Sequence, residues 1–315
     1  MAEPSLETLG GAGAGRVVRR LLLATRPPFF TASVLPVCLG TAWGWRESGR
    51  FEGDTFVVAL LAVVCAHAAT NVLNDVYDDL SGADIGNDAR LHPFTGGSRF
   101  IQNGVLTRTE MARWGFLLAG VSVLLGLVLV ALKGVPIVIL GVAGLGLGVL
   151  YSMPPVQLSA RGVGELAVGT GLGMLPVCGA VWLQSGAVTS GAVLLSIPVA
   201  AWVTNILVIN EVPDVDGDTR AGKRTLVVRL GMDGTRMLYL GLHLLAALAV
   251  AVMVSFGLLS IPALGLPVVI ALAAPFAARG IGKSVDRDHL LAGIKLTLTA
   301  HAAGILWLMG WVLGG

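Results

Sequence analysis

The stretch Asn71-Val-Leu-Asn74-Asp75-Val-Tyr77-Asp78-Asp79-Leu-Ser-Gly-Ala-Asp84 closes a long apolar run that begins near Phe56. If that run is a helix that continues through the cluster, Asn71, Asn74, Asp75 and Asp78 fall at i, i+3, i+4 and i+7 and present four oxygen-bearing side chains on one face. A second apolar run ends in Asn210-Glu-Val-Pro-Asp214-Val-Asp216-Gly-Asp218, where Asn210, Asp214 and Asp218 sit at i, i+4 and i+8. Nine of the 19 acidic residues lie between Asp75 and Asp88 or between Glu211 and Asp218. Carboxylates packed this closely repel one another, and hard divalent cations relieve the repulsion. Mg²⁺ suits them, because it takes oxygen ligands and bridges carboxylates to phosphates. Pro213 interrupts the helix immediately before Asp214, so the second cluster is expected on a kinked or unwound helix end. Asp79 and Asp216 lie off the two faces, and Asp84, Asp216, Asn210 and Glu211 are supporting positions.

Basic residues accompany both clusters: Arg99 and Arg108 after the first, Arg220, Lys223 and Arg224 after the second. Carboxylates that hold Mg²⁺ beside Lys and Arg that grip oxyanions make a diphosphate site. Any single acid near a membrane surface is as often a solvated loop charge. Two clusters with one spacing, at the mouth of apolar spans where an ionisable group costs on the order of 3 kcal/mol, point to function. His67, His243 and His301 fall in apolar runs and read as packed, hydrogen-bonded side chains, although His67 stands one turn before Asn71. Gly144-Leu-Gly146-Leu-Gly148 lies inside an apolar run with no β-α-β context and is not a dinucleotide loop; with its neighbours it supplies small residues for close helix approach.

The 315 residues are 55% hydrophobic and 13% charged, with mean hydropathy +0.82. That composition belongs in a bilayer. Residues 1–15 are rich in Gly and Ala and are expected to be disordered; 16–315 read as a single transmembrane domain. Apolar segments long enough to span, roughly 18 to 24 residues each, run over 27–46, 55–74, 114–132, 135–151, 164–184, 189–209, 237–256, 261–278 and 290–313. The fold expected is an all-α bundle of nine transmembrane helices, two four-helix halves plus one, with eight as the alternative count because 135–151 is short and Gly-rich. Seventeen of the 21 Lys and Arg residues fall on one side of these spans, the side of the N-terminus and of both acidic clusters. The positive-inside rule makes that side cytoplasmic, at the inner membrane if the cell is bacterial. Cys38, Cys65 and Cys178 lie within apolar spans and read as packed thiols.

The residues have a recognisable pattern. Asn71-x-x-Asn74-Asp75-x-x-Asp78 resembles the first Asp-rich motif of the UbiA superfamily of intramembrane prenyltransferases, and Asp214-x-x-x-Asp218-x-x-x-Gly222-Lys223-Arg224-Thr225-Leu226 resembles the second. Arg26-Pro27 is similar to the early Arg-Pro of that family. Tyr151-Ser152-x-Pro154-Pro155, with Arg161-Gly162-x-Gly164-Glu165, is similar to its element after the fourth helix. Thr95-Gly96-Gly97-Ser98-Arg99 and Gly222 to Gly231 are most like the branch of 1,4-dihydroxy-2-naphthoate prenyltransferases in menaquinone synthesis.

The resemblance implies a nine-helix bundle around a central cavity, capped on the cytoplasmic side by the acidic loops, with Mg²⁺ as cofactor and a polyprenyl diphosphate as one substrate. Asn71, Asn74, Asp75 and Asp78 would serve one metal, Asp214 and Asp218 a second. Arg26, Arg99, Lys223 and Arg161 would hold the diphosphate, and Tyr151 and Ser152 would lie near the reacting carbon. The other partners implied are an aromatic small-molecule acceptor and the lipid bilayer, with no nucleic acid. The rivals are prenylation of 4-hydroxybenzoate, a quinolone or a lipid-type acceptor, a cation transporter, and a non-catalytic lipid-binding protein. Transporters place binding acids near the midplane, whereas these clusters stand at span ends.

Overall fold

A computed structural model describes residues 3–82, 90–282 and 286–314. Asp84, Asp88 and Lys283 lie outside the described residues. The chain is all-helical, with no strand among the described residues. In order come α1 (Leu6–Leu9), α2 (Ala14–Ala24), α3 (Thr31–Ser48), α4 (Gly53–Ser81), α5 (Arg108–Lys133), α6 (Pro136–Ser152) and α7 (Gly164–Val168). These are followed by α8 (Leu175–Ser185), α9 (Ser190–Glu211), α10 (Val215–Arg220), α11 (Leu226–Ser255), α12 (Gly265–Ala277) and α13 (Arg287–Gly314). A π-helical turn, Gly169–Met174, joins α7 to α8.

Local chemistry sets several ends. Thr107 and Glu110 form a reciprocal capping box that starts α5, satisfying donors that the first turn leaves without partners. Thr189 and Thr225 cap α9 and α11, accepting from Ala192 N and Val228 N at 3.1 and 3.2 Å. α4 stops at Gly82, whose φ of +77° is open to glycine without strain.

Seven helical segments are long and apolar enough to cross a membrane: Gly53–Ser81, Arg108–Lys133, Gly164–Ser185, Ser190–Arg220, Leu226–Ser255, Ile261–Gly280 and Arg287–Gly314. The pair Ala14–Ala24 and Pro27–Ser48, bent by 53°, makes eight if it is one span. α6 is shorter, 17 residues. The expected nine are therefore not all of spanning length. The first, expected over 27–46, follows a break where Arg26 turns left-handed ahead of Pro27 and Pro28 and α2 meets it at an angle, and α6 starts at Pro136 and stops before Pro154-Pro155. Ile139, Val142 and Leu272 are 71%, 67% and 72% exposed, an apolar exterior that suits acyl chains rather than water.

α9 is the innermost helix, with 67% of its apolar window buried against 22% for α5. Its Trp202 is fully buried and lies over Gly304 of α13, where a methyl group would come within 2.6 Å of the indole. α3 and α8 are as tightly joined, since a methyl at Gly40 would land on the Val177 carbonyl and one at Gly44 within 2.7 Å of Gln184 Cβ. Gly40→Val is accordingly expected to cost about 1–3 kcal/mol, read as a lowered thermal-unfolding midpoint in detergent; an unchanged midpoint would refute this packing.

The N-terminal segment, expected to be disordered, makes contacts in this structure. Ser5 caps α1, Leu9 is 4% exposed beside Ala24, Val76 and Phe100, and Asn103 donates to the Pro4 carbonyl at 2.8 Å. Glu3 pairs with Arg90 at 2.9 Å, a contact that holds its carboxyl below the usual carboxylate range. The three cysteines are free thiols.

Candidate active site

α4 runs unbroken through the first acidic cluster, so the expected face exists. Asn71, Asn74 and Asp78 line a cavity of about 890 Å³ that is bounded mainly by α4, α5, α6, α8 and α9. Its deeper wall is apolar, with Ala62, Val63, Leu127, Val130, Leu140 and Leu183. Asp75 stands just behind, 3% exposed, and both its oxygens accept the Ser98 N–H, at 3.2 and 3.3 Å. Asn71 donates Nδ2 to the Thr25 carbonyl at 3.0 Å, and Asn74 donates Nδ2 to Ser152 Oγ at 3.3 Å. Their donor ends are thus engaged, and what each can offer a cation is its carbonyl oxygen.

The second cluster breaks where Pro213 predicts. α9 ends at Glu211, Val212–Asp214 forms a 3₁₀ turn, and the helix resumes as α10. Asn210, Asp214 and Asp218 all reach the cavity wall, and Asp216 is exposed. The two clusters meet at Lys223. Its Nζ lies 2.6 Å from Asp78 Oδ1 and 3.7 Å from Asp218 Oδ1, joining residues 145 apart in the chain.

The Thr95–Arg99 loop spans the same gap. Gly96 N donates to Asp214 Oδ2 at 3.4 Å while Ser98 N donates to Asp75. Gly96 and Gly97 both have φ of +73°, a conformation that strains any residue with a Cβ. A methyl at Gly96 would also meet Arg90 Cβ at 2.7 Å.

Among the basic candidates, Arg26 and Lys223 line the cavity. Arg26 has φ of +60°, its guanidinium lies 5.2 Å from the Phe29 ring, and its buried Nε has no hydrogen-bond partner among the described residues. Arg99 and Arg161 are not part of the cavity wall; Arg161 is exposed and donates to the Pro155 carbonyl at 2.6 Å. Tyr151 is on the wall, with Ser152 buried behind it. His67 also reaches the wall, tied to Ser33 Oγ at 3.0 Å. The off-face Asp79 holds Arg108 Nε at 2.7 Å and Gln102 Nε2 at 3.3 Å.

Sequence reasoning underrated Glu211, which lines the cavity, and Glu165, buried on α7 where it packs against α9. The signal for Glu211 was its spacing of seven from Asp218, one helical face. Among the described residues no three His, Cys, Asp or Glu converge closely enough to hold a metal by themselves. The two clusters nevertheless bring oxygen donors to the wall, and the buried Asn210 Oδ1 has no partner among the described residues. Such a set fits a hard divalent cation whose coordination a phosphate completes.

The UbiA prenyltransferase family model matches residues 33–298. The chain belongs to the UbiA prenyltransferase family. It is 31% identical over 233 residues to the 2-carboxy-1,4-naphthoquinone phytyltransferase of Synechocystis, covering 73% of each chain. It is 28% identical over 212 residues to the 1,4-dihydroxy-2-naphthoate octaprenyltransferase of Bacillus subtilis, covering 67% of this chain and 65% of that one. A UbiA homolog from Archaeoglobus fulgidus, solved bound to GPP and Mg²⁺, superposes with a TM-score of 0.67 at 15% identity, covering 94% of this chain and 99% of the other. The fold is therefore the UbiA fold. The chain is a membrane-embedded prenyltransferase, and its two acidic clusters face one another across the polar end of its cavity.

Proposed function

We propose that this enzyme transfers a polyprenyl group from a polyprenyl diphosphate to 1,4-dihydroxy-2-naphthoate, releasing pyrophosphate, as a step of menaquinone biosynthesis. The observation that carries the reading is the junction at Lys223, where both acidic clusters meet at the polar end of an otherwise apolar cavity. The names of the Synechocystis and Bacillus relatives support the naphthoate acceptor.

Asn71, Asn74, Asp75 and Asp78 are the ligands proposed for one Mg²⁺, and Asp214 and Asp218 for a second. Bound Mg²⁺ supplies positive charge against which pyrophosphate departs. Lys223 and Arg26, both on the wall, grip the diphosphate oxygens. Arg99 and Arg161 contribute only if the loops that carry them close over it. As the allylic C–O bond breaks, its electron pair leaves with pyrophosphate, and the Tyr151 ring steadies the cation that remains, an interaction of about 0.5–2 kcal/mol. The apolar wall keeps out water that would capture the cation. A ring carbon of the acceptor then forms the new C–C bond, and the acceptor carboxylate leaves as CO₂.

The proposed frame is one domain over 16–315, nine spans if the bent pair and α6 both cross, with the N-terminus and both acidic loops in the cytoplasm. Purified protein in nanodiscs, given geranylgeranyl diphosphate, Mg²⁺ and a panel of aromatic acceptors, is expected to prenylate dihydroxynaphthoate and to stop on addition of EDTA. Prenylation of a different acceptor would move the pathway and keep the chemistry. Failure to bind any polyprenyl diphosphate in Mg²⁺ would refute the reading.

A further inference from the structure

Glu211 lines the cavity and is 9% exposed, and its Oε2 has no hydrogen-bond partner among the described residues. Behind it stands Glu165 of α7, 2% exposed. Glu165 Oε1 accepts the Leu226 N–H at 2.7 Å, at the start of α11, while its Oε2 has no partner among the described residues. α7, which carries Glu165, packs against α9, which carries Glu211. Glu211 Oε2 and Glu165 Oε2 are therefore acceptors without a donor among the described residues. Leaving a carboxyl oxygen buried without a donor is costly. The partner that suits them carries an O–H or N–H.

The two substrates proposed above differ on this point. A polyprenyl diphosphate is anionic at one end and hydrocarbon at the other, and offers Glu211 no O–H or N–H donor. An aromatic acceptor with ring hydroxyls has the donor. Position agrees, since Tyr151 lines the same cavity as Glu211. We infer that Glu211, backed by Glu165, accepts a hydrogen bond from a ring hydroxyl of the aromatic acceptor, and so selects hydroxylated rings and fixes which ring carbon faces the prenyl group. Glu211 is then a specificity and positioning residue. A site built to pair with a hydroxyl rejects the analogue that lacks it far more strongly than lost contact area explains.

The inference rests on the prenyl transfer proposed above, and its test is separable from it. Dissociation constants are measured by calorimetry on nanodisc-held protein without diphosphate, for 1,4-dihydroxy-2-naphthoate and for 1,4-dimethoxy-2-naphthoate, whose ring oxygens cannot donate. Wild type is expected to bind the diol at least about tenfold more tightly than the ether. Glu211→Gln should weaken the diol about tenfold and leave the ether within twofold; Glu165→Gln should shift the diol in the same direction by less. The affinity of each variant for geranylgeranyl diphosphate in Mg²⁺ should match wild type, which also reports that the variants are folded. Equal binding of diol and ether by wild type would overturn the inference, as would equal weakening of both ligands in Glu211→Gln. No change in either ligand would overturn it too, because the two carboxyls would then satisfy one another through a shared proton. A wild type that binds the diol selectively but no diphosphate would refute the prenyl-transfer reading and leave the Glu211 contact standing.

Discussion

Asp214→Ala and Asp75→Ala are each expected to lower prenyl transfer about a thousandfold or more, measured as product formed per minute in nanodiscs at saturating Mg²⁺. The size follows from removing a full charge from a site that stabilises a departing pyrophosphate, where even one neutral donor is worth about 100- to 1000-fold. Each carboxylate has a second task, because Asp214 receives Gly96 N and Asp75 receives Ser98 N, so an alanine also releases the Thr95–Arg99 loop. Asn separates the two tasks. Asp75→Asn keeps an oxygen for the Ser98 N–H and loses the charge. If charge is what matters, Asn is as inactive as Ala; if loop anchoring alone matters, Asn retains most of the activity. Asp79→Asn is the control, since Asp79 pairs with Arg108 at 2.6 Å, away from the cavity wall, and its activity should stay within a fewfold of wild type. Asp214→Ala with activity within tenfold of wild type would remove Asp214 from the reaction centre.

What the sequence revealed of this site followed the rules of one helix. Asn71, Asn74 and Asp78 could be placed together because α4 is uninterrupted there and a 3.6-residue period is enough. The break at Pro213 was legible for the same local reason, a missing N–H and a restricted preceding residue. The junction at Lys223 was not. Its partner Asp78 is 145 residues away, and only the packing of the bundle brings α4 and the end of α10 to one point. Basic residues were the hardest to assign, because a long side chain on a loop goes where the loop goes: Arg26 turns into the cavity through a left-handed backbone, while Arg161 folds back onto Pro155. Hydropathy marked the apolar stretches, the short α6 between its prolines included, but not the bend of 53° between α2 and the first of them. Glu211 was underrated because the face chosen ran through Asn210, Asp214 and Asp218, and the wall they form also takes in Glu211.

Lys223→Met is the second large effect, and it separates holding the site together from running the reaction. In the structure without metal, the Lys223 ammonium neutralises Asp78 and Asp218, whose side chains are 15% and 11% exposed, while its own is 10% exposed. Methionine keeps the length and apolar stem of lysine but leaves two nearly buried carboxylates facing one another. Breaking a buried pair from one side costs about 3–5 kcal/mol, so without Mg²⁺ the variant should unfold several degrees below wild type. An ion that binds those carboxylates stabilises the folded state in proportion to its occupancy, and in the variant it no longer competes with an ammonium for Asp78. Mg²⁺ should therefore raise the unfolding midpoint of Lys223→Met by more than it raises that of wild type. Transfer should nonetheless remain about 100-fold down at saturating Mg²⁺, because the cation that grips the diphosphate is gone. A midpoint equal to wild type in EDTA would show that the ion pair does not join the two clusters. A recovery of activity that tracks the recovery of stability would show that Lys223 serves the fold alone, and would leave Arg26 as the cavity-wall cation for the diphosphate.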